Sequence, residues 1–591
     1  MELYLEYYAK RIEGMEVFIE APIESYIVLA LLKYLRVIII GRDCQLNFVE
    51  CKTKLENRKD SVWLELTGMR MKFFQADKWP ETASYCQVPC ILHSFWVLSG
   101  LCSICRHFTK CYTLREPNSK KLMGFKGNTL LAPAELSLWT KFCEIDIEAC
   151  VREVLQLQSG KSVVVPECLG KLERHLAQPL KAHNVYKLVN NVQNVKVSSS
   201  QEHQKLSGET NHFDFKFNHR YVEGYEKTLA DIMLFICIYL ISKRLPMEML
   251  LKHLPRVTCW HDRMISEDDL SLKTACDEIL MIDTKLLKPL EVEQLIVEVP
   301  ENFSLYKADT KKMNLMGAKV LTTNQPEVRT ILGKVKNMGL DVQSIPNDRD
   351  GNLFDWSTVP LEAQPAGGNL PQNRIDRKKH QLESLANEVI SIAKPGDRIV
   401  EFCSGTGHLG ILLAVLLPEC TLFLVENKQD SQELAMGRVH RLGLKNVTFV
   451  RSNLEYFNAS FNIGVSLHAC GVATDIVLDK CFAQRAKFVS CPCCYGKLYE
   501  FDRIRYPRSR VFQTSELSLK EYLCLAHCAD QTHDVRSART NIPKAHQGYY
   551  CMDIIDKDRM LHAEELGYTV VQKRLRPQNC TPKNRLLIGT L

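Results

Sequence analysis

Two carboxylates and two glycines in the last third of the chain have the types and spacing of a nucleotide-binding turn. Glu401 ends one short apolar stretch, Gly405 and Gly407 follow it, and Glu426 ends the next apolar stretch. Glycine carries no Cβ, so its backbone can bend tightly and approach a ligand closely. A carboxylate after the second strand can accept hydrogen bonds from both hydroxyls of a ribose. Together these residues predict a site for a ligand that contains a nucleoside.

The elements that must position these residues are those of an open α/β sheet. Residues 399–402 and 421–425 predict buried strands, and residues 410–417 predict a helix between them. Strand, glycine turn and helix form the opening of a nucleotide-binding βαβ unit. Parallel strands bind ligands at their carboxyl ends, so the residues that follow each strand are expected to face one pocket. Further strands of this sheet are predicted at 447–450, 462–467 and 487–490.

The order of residues at this turn separates two classes of cofactor. A dinucleotide fold requires three spaced glycines, with a pyrophosphate on the helix N-terminus, whereas here Cys403 stands between Glu401 and the glycines. The pattern resembles motif I of the S-adenosylmethionine-dependent methyltransferases, with Cys403 replacing one glycine. A glycine turn in another α/β fold is the alternative. The resemblance implies S-adenosylmethionine as the cofactor, with these residues binding it: Glu401, Cys403, Gly405, Gly407, Glu426, Asn453 and His468.

His468 and Cys493 are the candidates for catalysis, because each follows a predicted strand of the sheet. The imidazole of His468 can accept a proton from a hydroxyl that is being methylated. The thiolate of Cys493 can instead attack a carbon of a pyrimidine. A metal held by His468, Cys470, Cys491, Cys493 and Cys494 is a third interpretation, and small side chains that only line a reduced pocket are a fourth. We assign no metal ligand from the sequence.

Length and composition are those of a soluble multidomain protein. A chain of 591 residues, 46% hydrophobic and 25% charged, is expected to form about two to four domains. Its 24 cysteines are scattered and no signal peptide is recognisable at its start, so we expect reduced thiols and a cytoplasmic location. Two apolar runs, 26–40 and 229–241, are too short or too interrupted to cross a bilayer, so no membrane association is expected.

The net charge of +7 is concentrated in the C-terminal part of the chain. Residues 372–591 hold 30 Lys and Arg against 23 Asp and Glu, a difference of 7. This excess allows an acidic partner such as RNA. The basic segment 377–380 is interpreted as the solvated start of a helix predicted at 374–393. A second basic segment, equally consistent with an RNA contact and with an ordinary exposed loop, contains Arg503, Arg505, Tyr506, Arg508 and Arg510.

The first 125 residues resemble, in degenerate form, the thioredoxin-like N-terminal domain of glutathione transferases. The similarity lies in Pro89, which precedes a predicted strand, and in the helix predicted after Gly100. Gly100 and Leu101 stand where that family grips glutathione, and Ala21 stands where it has a catalytic side chain. Burial cannot replace the missing hydrogen bonds, so glutathione transferase activity is disfavoured.

Thr228 and Asp231 precede a long apolar run in the middle of the chain. An N-cap threonine and an acid three residues later can satisfy two free amides at the start of a helix. The pair resembles the buried capping box of the glutathione transferase C-terminal domain, and residues 254–264 are similar to the next helix of that domain. The resemblance implies an all-helical domain that binds a protein partner or associates with itself.

Five segments together resemble the family of glutathione S-transferase C-terminal domain-containing proteins: 393–400, 402–405, 467–475, 491–496 and 581–584. The C-terminal half is also similar to tRNA 2′-O-methyltransferases, which implies RNA as a substrate class. We therefore expect an α/β multidomain chain that ends in a Rossmann-like class I methyltransferase domain. The expected domains are a thioredoxin-like module at 1–125, a helical domain at 130–340 with a polar loop at 195–218, a linker at 344–371, and the methyltransferase-like domain at 372–591.

The function that follows is S-adenosylmethionine-dependent methyl transfer to an acceptor that the sequence does not identify. RNA, at a 2′-hydroxyl or a base, is the acceptor class that the resemblance implies. The alternative is a non-catalytic scaffold that uses both folds only for interaction.

Overall fold

The computed structural model describes the chain except for residues 37–43, 52–60, 95, 135–136, 181–217, 267–270, 282–286, 302, 307–323, 343–352, 369, 502 and 533–541. Two predicted segments fall on those gaps. The polar loop at 195–218, apart from residue 218, and the first part of the predicted linker, residues 344–352, lie outside the described residues.

The described strands, in chain order, are β1 Glu2–Tyr7, β2 Ala9–Glu13, β3 Glu16–Pro22, β4 Gln45–Glu50, β5 Ser61–Glu65, β6 Met71–Phe74, β7 Cys90–His93, β8 Trp96–Ser99, β9 Gly160–Val164, β10 Val292–Ile296, β11 Arg398–Phe402, β12 Thr421–Val425, β13 Val447–Arg451, β14 Ile463–Ser466, β15 Lys487–Ser490, β16 Thr569–Arg574 and β17 Arg585–Thr590.

The described α-helices are α1 Ile23–Tyr34, α2 Leu101–Arg115, α3 Leu138–Lys141, α4 Ile147–Gln156, α5 Glu167–Ala177, α6 Leu229–Arg244, α7 Met247–His253, α8 Pro255–Ser266, α9 Ser271–Asp277, α10 Gln325–Asn337, α11 Gln372–Ile392, α12 His408–Leu416, α13 Gln429–Leu442, α14 Val472–Gln484, α15 Arg510–Gln513, α16 Leu519–Ala529 and α17 Ile542–Glu565.

The chain divides into two compact units. The sheet unit comprises Met1–Leu5, Asp77–Gly100 and Thr310–Leu591, and the helical unit comprises Glu6–Ala76 and Leu101–Asp309. These limits do not coincide with the predicted domain boundaries at 125–130 and 340–344.

The sheet unit is built on a doubly wound parallel sheet. Its strands follow the order β13-β12-β11-β14-β15, so the chain passes from β11 to one side and then returns to the other. Such a reversal creates a crevice at the carboxyl end of the first strand, where open α/β sheets bind ligands. Beyond β15, β17 pairs in antiparallel fashion with both β15 and β16. The predicted α/β class with a Rossmann-like C-terminal fold is confirmed.

Three N-terminal strands extend this sheet on the other side. β8 pairs in parallel with β13, with Phe449 opposite Trp96. β7 is antiparallel to β8, and β1 is antiparallel to β7. The peptide bond before Pro89 is cis, and the strand predicted after it is β7. These strands, which fall within the module predicted at 1–125, continue the sheet that holds Glu401, because the edge of β13 offers unpaired backbone groups for pairing.

The stretch before α11, predicted as a linker, packs on the sheet unit from residue 353 onward. Val359 and Ala363 are buried in the same core as Leu385 and Leu412. Arg438, on α13 and 2% exposed, donates through Nε to the carbonyl oxygen of Glu362 at 2.8 Å. A buried guanidinium is costly to leave without acceptors, so these bonds hold the stretch against the helix.

The helical unit contains the predicted capping box. The Thr228 amide donates to Asp231 Oδ2 at 2.8 Å, at the start of α6. Asp231 Oδ1 also accepts from the Val222 amide and from Trp260 Nε1 on α8, at 2.8 and 2.9 Å. One buried carboxylate therefore caps α6 and ties it to a second helix, as the sequence predicts for the capping residues.

Two small sheets lie in the helical unit. In one, β3 lies between β2 and β5 in an antiparallel arrangement, and in the other β9 pairs with β10 in parallel. β4 pairs in parallel with β6. Ala21 and Leu101, which stand where glutathione transferases hold glutathione, are fully buried apolar residues. In the described part of the chain, every helix is too short or too polar to cross a membrane.

Candidate cofactor and catalytic site

The turn after β11 has the backbone conformation that its glycines predict. Gly405 and Gly407 adopt φ values of +55° and +72°, and Cys403 adopts +55°. This left-handed region is costly for residues that carry a Cβ. A Cβ added to Gly405 would meet nothing within 4 Å, whereas one added to Gly407 would lie 2.9 Å from Leu424 Cδ2. Gly405 therefore borders open space, and Gly407 is needed for close packing of α12 on the sheet.

Glu426, at the end of β12, is directed toward this turn. Its Oε2 accepts from the Gly405 amide at 2.7 Å, and its Oε1 accepts from the Lys428 amide at 2.9 Å. The side chain is 8% exposed. A carboxylate offers about four acceptor positions, so two backbone bonds leave capacity for ribose hydroxyls. Glu426 and the glycine turn, which the sequence assigns separately to the cofactor, are thus hydrogen-bonded to each other.

Glu401 holds the first turn of α12. Its Oε2 accepts from the Gly410 amide at 2.7 Å, and a Cβ at Gly410 would come within 2.7 Å of the same oxygen. Burial raises the pKa of Glu401, although the Gly410 amide and the Lys378 ammonium oppose that shift. Glu401 is thus a buried carboxylate beside the turn, where it can accept from a cationic ligand group.

Arg438 forms a hydrogen bond to the same turn, a contact that the sequence did not reveal. Its Nη1 donates to the carbonyl oxygen of Thr406 at 3.1 Å. Arg438 falls three residues after Ala435 and one before Val439, both buried. That position on the helix is the signal that could have indicated an inward-facing arginine.

Asn453 lies after β13, as predicted, and is 4% exposed. Its Oδ1 accepts from Nδ2 of Asn427, which directly follows Glu426, at 3.1 Å. The ends of β12 and β13 are adjacent in the sheet. The structure therefore brings Asn453 to the neighbourhood of Glu426.

His468 has a partner that the sequence did not reveal. Lys378 Nζ, from α11, lies 3.0 Å from His468 Nε2. The basic segment 377–380 is therefore not simply a solvated helix start. Lys378 precedes Leu382 and Leu385 by four and seven residues, which places all three on one face of the helix. That periodicity is the signal that could have identified it.

Burial and neighbouring charges shift the pKa of both Lys378 and His468. Desolvation by the surrounding chain and the Lys378 ammonium lower the pKa of His468. The imidazole still contacts solvent, which weakens the desolvation contribution, so we attribute the direction chiefly to the ammonium. Burial also lowers the pKa of Lys378, against the opposing effect of Glu401. His468 is therefore neutral at neutral pH, and Lys378 is more easily deprotonated than an ordinary lysine.

The cysteines after β14 and β15 separate into two groups. Cys470 Sγ lies 3.2 Å from Cys493 Sγ and 3.3 Å from Cys494 Sγ. Thiol hydrogen bonds from Cys470 and Cys493, and then the Lys497 and Lys583 charges, lower the pKa of Cys494. The corresponding interactions raise the pKa of Cys493. Cys491 is buried apart from them, with its Sγ 3.6 Å from the Lys583 carbonyl oxygen.

Asp475 and the basic segment after β15 have structural partners. Asp475 Oδ2 lies 2.8 Å from Arg559 Nη2, and both side chains are at most 2% exposed. Tyr506 donates to Asp475 at 2.7 Å, and the Arg508 guanidinium pairs with Asp479. Tyr506 and Arg508 are buried and therefore do not present a surface to a nucleic acid, although Arg503, Arg505 and Arg510 are exposed.

The residues at the turn fit the cofactor of a methyltransferase. A nucleoside fits three features of the site: the open space beside Gly405, the free acceptor positions on Glu426 and the buried side-chain amide of Asn453. The carboxylate of Glu401 suits an ammonium group. Of the predicted cofactor residues, Glu401, Cys403, Gly405, Gly407 and Glu426 meet around one turn. Asn453 and His468 follow strands of the same parallel sheet.

Comparison with known proteins places this site in a methyltransferase domain, since residues 377–501 match the domain family described as "Methyltransferase domain". Such a domain implies S-adenosylmethionine as its cofactor. The chain is 38% identical over 100 residues to the ribosomal RNA small subunit methyltransferase G of Vibrio campbellii, covering 17% of this chain and 46% of that protein. Among solved structures, a SAM-dependent methyltransferase from Aquifex aeolicus is similar at a TM-score of 0.22 and 11% identity, covering 38% of this chain and 97% of that chain.

The similarity that extends along the whole chain is to a protein of Drosophila melanogaster called glutathione S-transferase C-terminal domain-containing protein homolog. The two are 38% identical over 594 aligned residues, which cover 97% of each chain. The chain belongs to the family of glutathione S-transferase C-terminal domain-containing proteins.

Proposed function

We propose that the sheet unit transfers a methyl group from S-adenosylmethionine to RNA, at a ribose 2′-hydroxyl or a base. The observation that carries this proposal is the Glu426 carboxylate, which accepts from the Gly405 amide beside open space. The carboxylate and the glycine turn lie where the strand order of the parallel sheet reverses. Open α/β sheets bind nucleosides at this point.

Bound S-adenosylmethionine supplies an electrophilic methyl group on a sulfonium. Glu426 would accept hydrogen bonds from the ribose, Asn453 would pair with the adenine edge, and Glu401 would receive the ammonium of the methionine part. Residues that fix the donor in this way would align it with the acceptor, and alignment supplies much of the rate in such a displacement.

A hydroxyl acceptor must lose a proton, and Lys378 and His468 are suited to take it. Their nitrogens lie 3.0 Å apart, and burial lowers the pKa of Lys378 to about 8, close to the working pH at which a general base is most effective, with a neutral His468 beside it. The pair is a better candidate than Cys493, because the Cys493 Sγ lies 3.2 Å from the Cys470 Sγ and is engaged by that thiol. This favours the 2′-hydroxyl over a pyrimidine carbon.

Charge and similarity support RNA as the acceptor class. The excess of seven positive charges falls within residues 372–591, and three arginines of the basic segment after β15 are exposed. Lys and Arg surplus of this kind favours a phosphate backbone. The similar protein from Vibrio campbellii is named for methylation of ribosomal RNA.

The test uses purified full-length protein, S-adenosylmethionine with a labelled methyl group, and two acceptor pools: total RNA and total protein from cells that lack the gene. Label in RNA nucleosides with wild-type protein, and none with Gly405→Arg, is the expected result. Nucleoside mass spectrometry then separates 2′-O-methyl from base-methyl products. Label found only in the protein pool would overturn the RNA proposal while leaving methyl transfer intact, and failure to bind S-adenosylmethionine would overturn both.

A further inference from the structure

Three thiols converge at the carboxyl edge of the sheet without any role in the proposed methyl transfer. Cys470 lies in the turn after β14, and Cys493 and Cys494 lie in the turn after β15. The three Sγ atoms are all within 4.8 Å of one another, and each side chain is half-buried. In the described ranges, no other cluster of histidine, cysteine and acidic side chains brings three ligand atoms together in this way. We call these three residues the thiol cluster.

The backbone holds the thiol cluster in place. Cys470 and Cys493 pair as a single parallel bridge, and the Gly471 amide donates to the Cys493 carbonyl oxygen at 3.0 Å. A Cβ on Gly471 would lie 2.5 Å from the Lys497 carbonyl oxygen, so the two turns are in close contact. Two neighbouring turns therefore determine the position of all three sulfurs before any ligand arrives.

The conformation of Cys494 adds to this constraint. Its φ is +52°, in the left-handed region that side-chain-bearing residues seldom adopt. Strain of this kind persists where the surrounding structure requires it, and it is concentrated at functional sites. Here the conformation brings the second of two adjacent cysteines to 3.3 Å from Cys470.

The separation of the sulfurs suits a metal better than a disulfide. Zinc binds thiolates at about 2.3 Å, so sulfurs around a tetrahedral zinc are about 3.8 Å apart. The observed 3.2 and 3.3 Å are about 0.5–0.6 Å shorter than that value, and both are more than 1 Å longer than the S–S bond of a disulfide. A disulfide would use only two of the three thiols and would leave the convergence of the third unexplained. Sites with three protein ligands and an open fourth position are typical of reactive zinc.

Charge around the thiol cluster is compatible with a bound cation. Three thiolates and one divalent ion carry a net charge of −1. The ammonium groups of Lys497 and Lys583 interact with Cys494 and can offset that charge. Lys583 is itself paired with Asp530 at 3.0 Å, which limits its repulsion of a metal.

We propose that Cys470, Cys493 and Cys494 bind one thiophilic divalent metal ion, Zn²⁺ in the first instance, through three thiolates with a fourth position left open. Binding releases the protons of whichever thiols are still protonated, so affinity rises with pH. The site stands at the same edge of the sheet as Glu426 but does not require that any methyl acceptor be known.

The experiment begins with full-length protein stripped by a chelator and then exposed to Zn²⁺ or Co²⁺ under reducing conditions. Wild-type protein is expected to retain one Zn²⁺ per chain after desalting, and Co²⁺ is expected to give thiolate-to-metal charge-transfer absorption and strong visible bands of a tetrahedral site. The variant Cys470→Ser/Cys493→Ser/Cys494→Ser should lose both signals. Cys259→Ser, which removes an exposed cysteine elsewhere, should keep them.

A second measurement needs no variant and so does not depend on whether a substituted chain folds. Alkylation of wild-type protein, followed by peptide mass spectrometry, should show the three cluster thiols protected by Zn²⁺ and Cys259 unprotected. Absence of metal from wild-type protein, equal metal content in the triple variant, or a Cys470–Cys493 disulfide formed on mild oxidation without metal uptake would each overturn the proposal.

Discussion

The carboxylate of Glu426 accepts a hydrogen bond from the backbone amide of Gly405 at 2.7 Å, joining the ends of two neighbouring parallel strands. The bond holds the acid beside the turn and keeps it from extending into solvent. Because Gly405 has no side chain, the space next to this bond stays open. Binding of S-adenosylmethionine is expected to depend on both residues, in different ways.

Filling the space above Gly405 should abolish cofactor binding without unfolding the protein. In Gly405→Arg, the new Cβ meets nothing within 4 Å, so the cost to folding is the left-handed backbone alone, about 1–2 kcal/mol. The long side chain then occupies the cofactor space. Isothermal titration with S-adenosylmethionine should show no detectable heat of binding.

Gly443→Arg is the matched control for this variant. Gly443 ends α13 with φ +66°, and a Cβ there also meets nothing within 4 Å. It carries the same backbone strain at a site outside the glycine turn, so it should bind S-adenosylmethionine like the wild type. Equal loss of binding in both variants would show that strain, and not occupied space, is responsible.

Neutralising Glu426 should weaken binding without eliminating it. Glu426→Gln keeps the shape of the side chain but removes the charge and one acceptor oxygen. Hydrogen bonds to charged groups contribute about 1.5–3 kcal/mol, so the dissociation constant for S-adenosylmethionine should rise by about 10- to 100-fold. Glu433→Gln, on the same helix that follows Glu426, serves as control and should leave the constant unchanged. An unchanged constant in Glu426→Gln would contradict the assigned role.

Removing Lys378 should raise the pKa of His468. The Lys378 ammonium disfavours a second positive charge on the imidazole 3.0 Å away, and Lys378→Met deletes that charge while keeping much of the side-chain volume. Histidine-selective NMR titration measures the effect, with the signal assigned through His468→Gln. Lys379→Met is the control, because Lys379 lies over the Trp356 ring instead. A His468 pKa that falls or stays constant in Lys378→Met would disprove the coupling.

Breaking the buried pair of Asp475 and Arg559 should destabilise the sheet unit strongly. Asp475→Asn removes the negative charge beside the Arg559 guanidinium, which is only 2% exposed. Loss of one member of a buried ion pair costs about 3–5 kcal/mol of unfolding free energy. Urea unfolding followed by circular dichroism reports the difference. Glu500→Gln, which disrupts the exposed pair with Arg505, should cost less than about 1 kcal/mol. Similar losses of unfolding free energy in Asp475→Asn and Glu500→Gln would show that burial does not set the strength of these ion pairs.

The same pair gives the protein an acid-sensitive contribution to stability. Burial by itself would raise the pKa of Asp475, but the Arg559 charge and hydrogen bonds hold the pKa below its usual value. A carboxyl with a depressed folded pKa stabilises the fold above its unfolded pKa of about 3.9 and loses that effect as pH falls further. The difference in unfolding free energy between wild type and Asp475→Asn should therefore be constant near neutrality and shrink below about pH 4. A difference that grows in acid would have the wrong sign.

Much of the sheet could be predicted because its signals are local. The strand Thr421–Val425 and the strand Lys487–Ser490 have the predicted limits, since short apolar runs between turn residues leave few alternatives. Gly443 ends α13, because glycine adopts the left-handed conformation at low cost. The capping pair Thr228 and Asp231 was recognisable because its members are only three positions apart in the sequence.

The positions that the sequence did not reveal depend on contacts between distant residues. Lys378 and His468 are 90 residues apart in the chain, and Arg559 and Asp475 are 84 apart. Tyr506 and Arg508 carry the composition of a basic surface loop, and only their packing against Asp475 and Asp479 shows that they are internal. The type of a side chain indicates which groups it can bind, but only the fold determines which of those groups lies next to it.

By itself the sequence determined the glycine turn, the carboxylate near the end of β11, the carboxylate that follows β12, and the helix between these two strands, because each depends on residues close together along the chain. Only the tertiary structure decided that strands from the first hundred residues extend the same sheet, that Lys378 faces His468, and that three cysteines from two turns meet. Pairing of strand edges and convergence of loops depend on the path of the whole backbone, which no local pattern encodes.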